Sequence, residues 1–174
     1  QKKILERERS LGMKPVLQGF TGHVPPAFVK KTSGLKYTRL KWLDFEPTYL
    51  LDWEDPMFKE IGIDFINELE KEYGTDHFYA IDQFIEMEPA KGDTSFLKNM
   101  SKNIYSTILQ ADPEGRWILQ TWPFRDTTFW NQERPKAYLD GVPDDRMIAL
   151  ELMGAYWPLT GWYKHNGWYG KPWV

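Results

Sequence analysis

The chain alternates between short, compact apolar runs and longer segments whose apolar residues recur at every third or fourth position. Compact apolar runs are typical of buried strands, because β-branched and aromatic residues pack well on a pleated sheet. Four such runs are predicted to be strands and lie at residues 14–20, 77–84, 116–122 and 147–152. A further apolar segment at 169–174 is typical of the start of another strand.

Segments with helical periodicity separate these runs. The clearest one starts after Asp55, which can cap a helix, and Pro56, which is well tolerated in a first turn. Its apolar residues recur at helical spacing until Gly74 ends the pattern. Further helices are predicted through about Ser10, from 93–95 to about Gln110, and around 134–139.

Two regions show neither the compact apolar runs of strands nor the periodicity of helices. Residues 21–26 contain a glycine and two prolines, so a turn or loop is predicted there. The stretch that follows, to about Asp52, is expected to be rich in loops. Residues 161–170 are aromatic and are likewise expected to form a loop.

The alternation of strands and helices predicts an α/β fold, with βα units on a parallel sheet. No predicted strand is followed by a glycine-rich phosphate loop, so a TIM-like (β/α)8 barrel is favoured over a nucleotide-binding sheet. Residues 1–174 would supply about half of such a barrel. The chain opens in a helix without Met or signal peptide and closes on an apolar segment. We therefore expect an incomplete barrel domain, internal to a longer protein.

Charge and cysteine content narrow the classes of partner. The net charge is −3 with acidic and basic residues interspersed, which does not favour nucleic-acid binding. No apolar run is long enough to span a membrane. The chain has no cysteine, and its three histidines lack metal-ligand spacing, so these residues predict no metal site. No pattern in the sequence indicates an oligomeric state.

Aromatic residues make up 16% of the chain, including nine tryptophans. One interpretation is a large aromatic core. The other is a sugar-binding cleft, because sugar rings stack their C–H faces on aromatic planes. Trp42, Trp122 and Trp130 are compatible with both interpretations.

A candidate acid, Glu86, follows the predicted strand 77–84. Because side chains alternate along a strand, Asp82, Phe84 and Glu86 are predicted to point the same way, toward the cleft of a barrel. A carboxylic acid among aromatic strand ends suits glycoside hydrolysis, since an apolar surround helps an acid keep the proton that the leaving oxygen needs. The alternative is a carboxylate that caps the next helix or pairs with a cation. Glu88 is predicted to be exposed.

Short motifs in a fixed order give the chain a resemblance to a known enzyme family. They lie at 12–17, 20–25, 73–77, 84–89, 130, 141–146 and 169–173. Across nearly the whole chain they resemble the central catalytic region of the α-N-acetylglucosaminidases of glycoside hydrolase family 89. This family includes a lysosomal enzyme that acts on heparan sulfate and bacterial enzymes that act on mucin-type glycans.

The resemblance implies a retaining hydrolase on a TIM-like barrel that removes terminal α-linked N-acetylglucosamine from glycans and needs no cofactor or metal. Glu86 falls at the family's general acid/base. Trp42 and Trp122 fall near positions that line the sugar pocket. His23 lies in the Gly-His-Val-Pro loop and is a substrate-binding candidate with an expected structural role. The family's nucleophile lies downstream of residues 171–173, so the 174 residues alone are expected to show no turnover.

Three departures from the family pattern keep other functions open. Ile85 replaces an Asn that can hydrogen-bond near C2 of the sugar, Thr121 replaces a Gly, and Ala155 replaces a Glu. These changes are compatible with a non-catalytic carbohydrate-binding barrel, and a purely structural segment is a third possibility. Glu151 is a second candidate carboxylate from the bare sequence, but the resemblance argues against it as the nucleophile because its segment corresponds to another strand.

The resemblance also carries an expectation for the cellular location. A eukaryotic parent protein is expected in the lysosome or outside the cell. A bacterial parent is expected in the periplasm or outside the cell.

Overall fold

The computed structural model describes residues 1–131, 133–152 and 160–174. Its α-helices are α1 (Lys2–Ser10), α2 (Pro26–Lys31), α3 (Pro56–Tyr73), α4 (Thr94–Ala111), α5 (Glu133–Leu139) and α6 (Thr160–Lys164). Its strands are β1 (Leu17–Gln18), β2 (His23–Val24), β3 (Tyr37–Leu40), β4 (Thr48–Leu51), β5 (Phe78–Ala80), β6 (Arg116–Gln120) and β7 (Met147–Leu150). Short 3-10 turns span Trp122–Arg125, Asp144–Arg146 and Gly167–Gly170.

The main sheet is parallel and has the strand order β1-β5-β6-β7. One row across it consists of Leu17, Tyr79, Trp117 and Met147. Helix α4 connects β5 to β6, and α5 connects β6 to β7, as the alternation in the sequence predicts. The α/β class and the parallel sheet are therefore confirmed, and the carboxyl ends of the strands lie together at one edge.

A second sheet, antiparallel and with the order β2-β4-β3, corrects the expectation of loops between residues 21 and 52. The middle strand β4 pairs with β2 through Leu50 and His23, and with β3 through Leu50 and Thr38. The paired strands have two to four residues each, which is too short to show a clear alternation in sequence. Pairing between distant segments therefore decides the structure here, against the local turn signals.

The strand β5 is shorter than predicted, and this overturns the alternation argument for the acid. It ends at Ala80, so the following residues leave the sheet. Asp82 turns back to accept hydrogen bonds from the backbone and side-chain nitrogens of Gln120, at 2.9 and 3.2 Å. Phe84 is buried in the core, whereas Glu86 is exposed. The three side chains therefore do not share one face of a strand.

The segment 161–170 is more ordered than the predicted loop. It contains α6 and the last 3-10 turn, and His165 stacks on Trp168 with ring centroids 5.1 Å apart. Five residues of helix are too few for periodicity to reveal. Beyond this turn, Trp173 forms an isolated parallel bridge with Ala149 of β7, which agrees with the strand predicted at the end of the chain.

The core lies between the parallel sheet and α3, α4 and α5. Trp117 of β6 is fully buried, donates its indole N–H to the carbonyl oxygen of Ile81 and packs edge-on against Tyr138 of α5. Helix α4 passes so close to the end of α5 that a Cβ at Gly141 would collide with Ser101 Oγ and the Lys98 carbonyl oxygen. Glycine is therefore required by the close packing of these helices.

A polar network crosses the amino-terminal end of the sheet. The Tyr79 hydroxyl hydrogen-bonds to Glu70, Thr75 and Asp112. The Asp112 carboxylate also lies 2.7 Å from His77 Nδ1. The hydrogen bond to Asp112 raises the pKa of His77. Burial alone would raise the pKa of Asp112, but the hydrogen bonds from His77 and Tyr79 outweigh it and lower that pKa.

We predict that Gly141→Ala lowers the free energy of unfolding by roughly 1–3 kcal/mol, because the added methyl group overpacks the contact between α4 and α5. Urea unfolding followed by circular dichroism measures the change. The matched control is Gly34→Ala, where a Cβ meets no atom within 4 Å and only the positive φ is strained. An Ala at 141 that is no more destabilising than the control contradicts the packing argument.

We predict that the His77–Asp112 pair makes stability depend on pH in a defined direction. The pKa of His77 is raised in the folded protein, so its contribution is complete below the ordinary value of 6.5 and is lost as the pH rises through the folded pKa. His77→Asn should flatten the fall in thermal midpoint above pH 6.5, and Asn tolerates the positive φ of 65° at this position. Equal pH profiles for the two proteins contradict the prediction.

Candidate active site

Glu86 is presented on a short turn that follows β5 at the carboxyl edge of the sheet. The turn is closed by a hydrogen bond from Met87 N–H to the Phe84 carbonyl oxygen, and Phe84 anchors it in the core with 5% exposure. Glu86 has φ of 57°, a left-handed conformation that directs the chain away from the strand. The Glu86 side chain is exposed at this point. The local fold therefore buries the base of the turn and displays its carboxylate.

Trp42 fixes the orientation of this carboxylate. Its indole N–H donates a hydrogen bond of 2.9 Å to Glu86 Oε2. The indole ring stacks on Phe45, with centroids 5.1 Å apart and planes at 10°. Both aromatic residues lie on the loop between β3 and β4. The antiparallel sheet thus brings Trp42 to Glu86, and the family resemblance predicts Trp42 to lie near the sugar pocket.

Two clefts meet at Glu86. The Trp122 cleft has a volume of about 620 Å³ and is lined by Phe84, Glu86, Met87, Glu88, Trp122, Pro123, Arg125, Asp126 and Trp130. The His23 cleft has a volume of about 400 Å³ and is lined by His23, Leu40, Trp42, Phe45, Glu46, Thr48, Ile85, Glu86 and Met87. The structure therefore gathers all four predicted site residues, Glu86, Trp42, Trp122 and His23, around two connected clefts.

The tryptophans near Glu86 differ in their surroundings. Trp122 is half-buried in the wall of its cleft, and the Arg125 guanidinium lies 4.4 Å from its ring centroid. Trp130 is 2% exposed and packs edge-on against Phe124 at 4.9 Å. Trp130 is thus mainly a core residue, whereas Trp42 and Trp122 present aromatic surface to the clefts.

His23 lies on β2 at the edge of the small sheet, and its two ring nitrogens have different surroundings. Its Nδ1 lies 2.9 Å from Thr21 Oγ1, which fixes the ring, and its buried Nε2 has no hydrogen-bond partner among the described residues. Burial lowers the pKa of His23, so the ring is neutral near pH 7.

The other carboxylates occupy different surroundings. Glu88 is exposed, as predicted, on the rim of the Trp122 cleft. Glu151 follows β7 and lines a separate cavity with Trp122 and Arg125. Burial raises the pKa of Glu151, although Trp168 and Arg125 act in the opposite direction.

The departures from the family pattern can be located in part. Thr121 is buried, and its hydroxyl donates to the Leu150 carbonyl oxygen at 3.0 Å, so the added side chain is held by β7. Ile85 lines the His23 cleft, where it supplies an apolar wall and no hydrogen bond. Ala155 lies outside the described residues.

Phe45 and Arg125 line the clefts without having been singled out in the sequence. Phe45 falls in the region that was expected to form loops. The only sequence signal for its place beside the cleft is its position three residues after Trp42. Arg125 and Trp122 lie in the same 3-10 turn, which brings their side chains together. No sequence pattern predicts this contact. In the described part of the chain, no group of three or more His, Cys, Asp or Glu could hold a metal ion, and no helix could span a membrane.

Comparison with known proteins identifies the relatives of this chain. A family model described as the alpha-N-acetylglucosaminidase (NAGLU) TIM-barrel domain matches residues 1–174. The human alpha-N-acetylglucosaminidase is 38% identical over 165 residues, which cover 91% of this chain and 22% of the human protein. The chain therefore spans about a fifth of the length of this curated relative.

Solved structures show the same fold. A family 89 glycoside hydrolase from Clostridium perfringens, in complex with its substrate GlcNAc-α-1,4-galactose, superposes with a TM-score of 0.78 over 98% of this chain and 19% of that chain, at 21% identity. A Clostridium perfringens family 89 structure in complex with PUGNAc gives a TM-score of 0.73 over 87% of this chain and 17% of that chain, at 23% identity. The predicted TIM-type α/β fold is confirmed, and the chain belongs to the alpha-N-acetylglucosaminidase family, as part of its TIM-barrel domain.

Proposed function

We propose that the complete protein carrying this chain removes terminal α-linked N-acetylglucosamine from glycans, with Glu86 as the general acid/base of a retaining double displacement. Family membership and the activity named for the human relative support the reaction class. The observation that carries the role of Glu86 is its exposed carboxylate at the junction of two clefts, with one oxygen held by Trp42.

The geometry suits the first step of the reaction. The Trp42 N–H occupies Oε2 of Glu86 and leaves Oε1 to face the leaving group. Glu86 gives its proton to the glycosidic oxygen as the C1–O bond breaks and a second carboxylate attacks C1. That nucleophile, expected downstream of residues 171–173, has to lie about 5–5.5 Å from Glu86 in a retaining pair.

The second step uses the same carboxylate as a base. Glu86, now ionised, takes a proton from water while the water oxygen attacks C1 and releases the nucleophile. Two inversions at C1 return the α configuration. Trp42 acts here as a positioning residue, because it holds the carboxylate in one orientation through both steps.

The clefts indicate a glycan substrate. Trp42 stacked on Phe45 forms an aromatic surface on one side of Glu86, and Trp122 forms one on the other side. Flat aromatic surfaces suit the C–H faces of pyranose rings on both sides of a scissile bond. A glycan of the heparan sulfate or mucin type, ending in α-linked N-acetylglucosamine, fits the proposed reaction.

A carbohydrate-binding function without turnover is the second candidate. The observation that favours it is Ile85, which places an apolar side chain beside Glu86 in the His23 cleft. Such a side chain cannot hydrogen-bond to the C2 substituent of a sugar. Binding of the glycan by the complete protein without any hydrolysis would establish this alternative.

We predict that Glu86→Gln in the complete protein lowers kcat/KM by roughly 10²–10⁴-fold on an α-N-acetylglucosaminide with a poor leaving group, because an amide cannot donate the proton. The loss of kcat/KM should be smaller for a nitrophenyl leaving group, which departs without protonation, whereas kcat still falls because the second step lacks its base. Glu88→Gln is the matched control, since Glu88 is exposed on the same segment. Equal losses in both variants, or a loss that does not depend on the leaving group, contradict the acid role.

We predict that Trp42→Phe lowers kcat by on the order of tenfold with little change in KM, because one hydrogen bond to the carboxylate is lost while an aromatic ring remains. Phe45→Leu is the companion variant and keeps the Trp42 hydrogen bond. It should raise KM more than it lowers kcat, because it disturbs the stacked surface. A Trp42→Phe enzyme with an unchanged kcat contradicts the positioning role.

A further inference from the structure

The His23 cleft differs from the Trp122 cleft in the chemistry of its walls. Five apolar side chains supply most of its surface, namely Leu40, Trp42, Phe45, Ile85 and Met87. The Trp122 cleft is also rich in aromatic residues, but three further charged side chains line it beside Glu86, namely Glu88, Arg125 and Asp126. The two sides of Glu86 are therefore suited to groups of different polarity.

Among the described residues, few polar atoms of the His23 cleft can reach a ligand. His23 Nδ1 lies 2.9 Å from Thr21 Oγ1, and its Nε2 is buried away from solvent. The Trp42 indole N–H is already donated to the carboxylate of the proposed acid. Thr48 and Glu46 are the other polar residues of the wall, and Glu46 is exposed to water. A ligand in this cleft therefore meets mainly carbon atoms.

The loop between β3 and β4 exposes three large apolar side chains at this place. Leu43 is 68% exposed, Phe45 is 62% exposed and Trp42 is 40% exposed. Leu43 also has a positive φ of 48°, which is strained for a leucine. A cluster of exposed apolar side chains marks a surface that binds an apolar group, because its contact with water costs free energy.

The position of Glu86 decides which part of a substrate enters the His23 cleft. A general acid stands beside the glycosidic oxygen, so the sugar whose bond is cleaved lies on one side of it and the aglycone on the other. The hydroxyl groups of that sugar require hydrogen-bond partners, and the Trp122 cleft is lined by Arg125, Asp126 and Glu88. The His23 cleft then receives the aglycone.

Ile85 contributes to the apolar character of the wall next to Glu86. An asparagine at this position would add a hydrogen-bonding group, whereas the isoleucine adds only carbon atoms. The cleft volume of about 400 Å³ lies within the range of roughly 300–1,000 Å³ that is usual for ligand pockets. The cleft therefore has room for an apolar group of several carbon atoms.

We propose that the His23 cleft is an aglycone subsite that selects α-N-acetylglucosaminides whose aglycone is an apolar group, such as an alkyl or aryl group. A sugar aglycone is accommodated through the C–H face of its ring and binds more weakly than an alkyl group. Ile85 and Phe45 are the specificity-determining residues. The identity of the α-linked sugar rests on the proposed function, whereas the preference for an apolar group rests on the walls of the cleft.

Binding to the complete protein with Glu86→Gln tests the subsite without hydrolysis. Titration calorimetry measures the dissociation constants of methyl α-N-acetylglucosaminide, hexyl α-N-acetylglucosaminide and GlcNAc-α-1,4-galactose. Burial of one methylene group strengthens binding about fourfold. The hexyl glycoside should therefore bind at least about tenfold more tightly than the methyl glycoside, even if only part of its chain is buried. It should also bind more tightly than the disaccharide.

Two variants connect this gain to the walls of the cleft. Ile85→Asn and Phe45→Ala should each lower the ratio of hexyl to methyl affinity by roughly three- to tenfold, because each removes apolar contact. The ratio is measured because an asparagine at 85 can also strengthen binding of the sugar itself. Leu43→Asn is the matched control and should leave the ratio unchanged. Leu43 is exposed on the same loop but does not line the cleft, and asparagine tolerates its positive φ.

Three results would overturn the proposal. A hexyl glycoside that binds no more tightly than the methyl glycoside shows that the cleft does not hold an alkyl aglycone. A gain that persists in both Ile85→Asn and Phe45→Ala places the alkyl chain elsewhere. The third comparison attaches the chain at C2, as the methyl α-glycoside of N-hexanoylglucosamine. A larger gain for this ligand than for the hexyl glycoside assigns the cleft to the acyl group of the sugar instead of the aglycone.

Failure of the proposed function gives a different result. In that case the protein with Glu86 intact binds the hexyl glycoside but does not hydrolyse it, and the lower ratios in the two cleft variants still support the subsite. Hydrolysis of the disaccharide together with equal affinities for the hexyl and methyl glycosides has the opposite meaning. That outcome leaves the proposed function intact and overturns the subsite alone.

Discussion

Parallel pairing of β1, β5, β6 and β7 is the constraint on which the site depends, because it brings the carboxyl ends of all four strands to one edge. The turn with Glu86 follows β5, Trp122 and Arg125 follow β6, and Glu151 follows β7. Residues far apart in sequence therefore surround adjoining cavities. In barrels of this kind the functional groups lie on variable loops at that edge, whereas the sheet and its opposite end provide stability. The network of Tyr79, at the opposite end, accordingly serves the fold.

Display of Glu86 requires backbone strain that the surrounding packing supports. A left-handed glutamate costs roughly 1–2 kcal/mol. Burial of Phe84 and the hydrogen bond from Trp42 hold the turn from both sides. The small antiparallel sheet contributes to this arrangement, because the loop between β3 and β4 carries Trp42 and Phe45 and brings Trp42 into contact with Glu86. A strained residue held by two independent contacts is typical of functional sites.

The sequence predicted the long elements, but not how Glu86, the candidate acid, is presented. Helices α3 and α4 carry many apolar positions and a capping Asp, so their limits were correctly predicted to within a residue or two. The antiparallel sheet was missed because β2 has only two residues and its partners are distant in sequence. Strand alternation predicted that Asp82 and Glu86 point the same way, yet β5 ends at Ala80 and Asp82 accepts hydrogen bonds from Gln120. The assignment of Glu86 as the acid stays a prediction from motif order, because the geometric argument for it was wrong.

The central claim is that Glu86 is the acid/base of a retaining hydrolase, and chemical rescue tests it most directly. The complete protein with Glu86→Ala is given an α-N-acetylglucosaminide with an activated leaving group, together with sodium azide. Azide needs no general base, so it can attack C1 of the glycosyl-enzyme in place of water and release the nucleophile. We predict that turnover recovers and that the product is the α-configured glycosyl azide. A β-configured azide, or no azide product and no rescue, would contradict the assignment of Glu86.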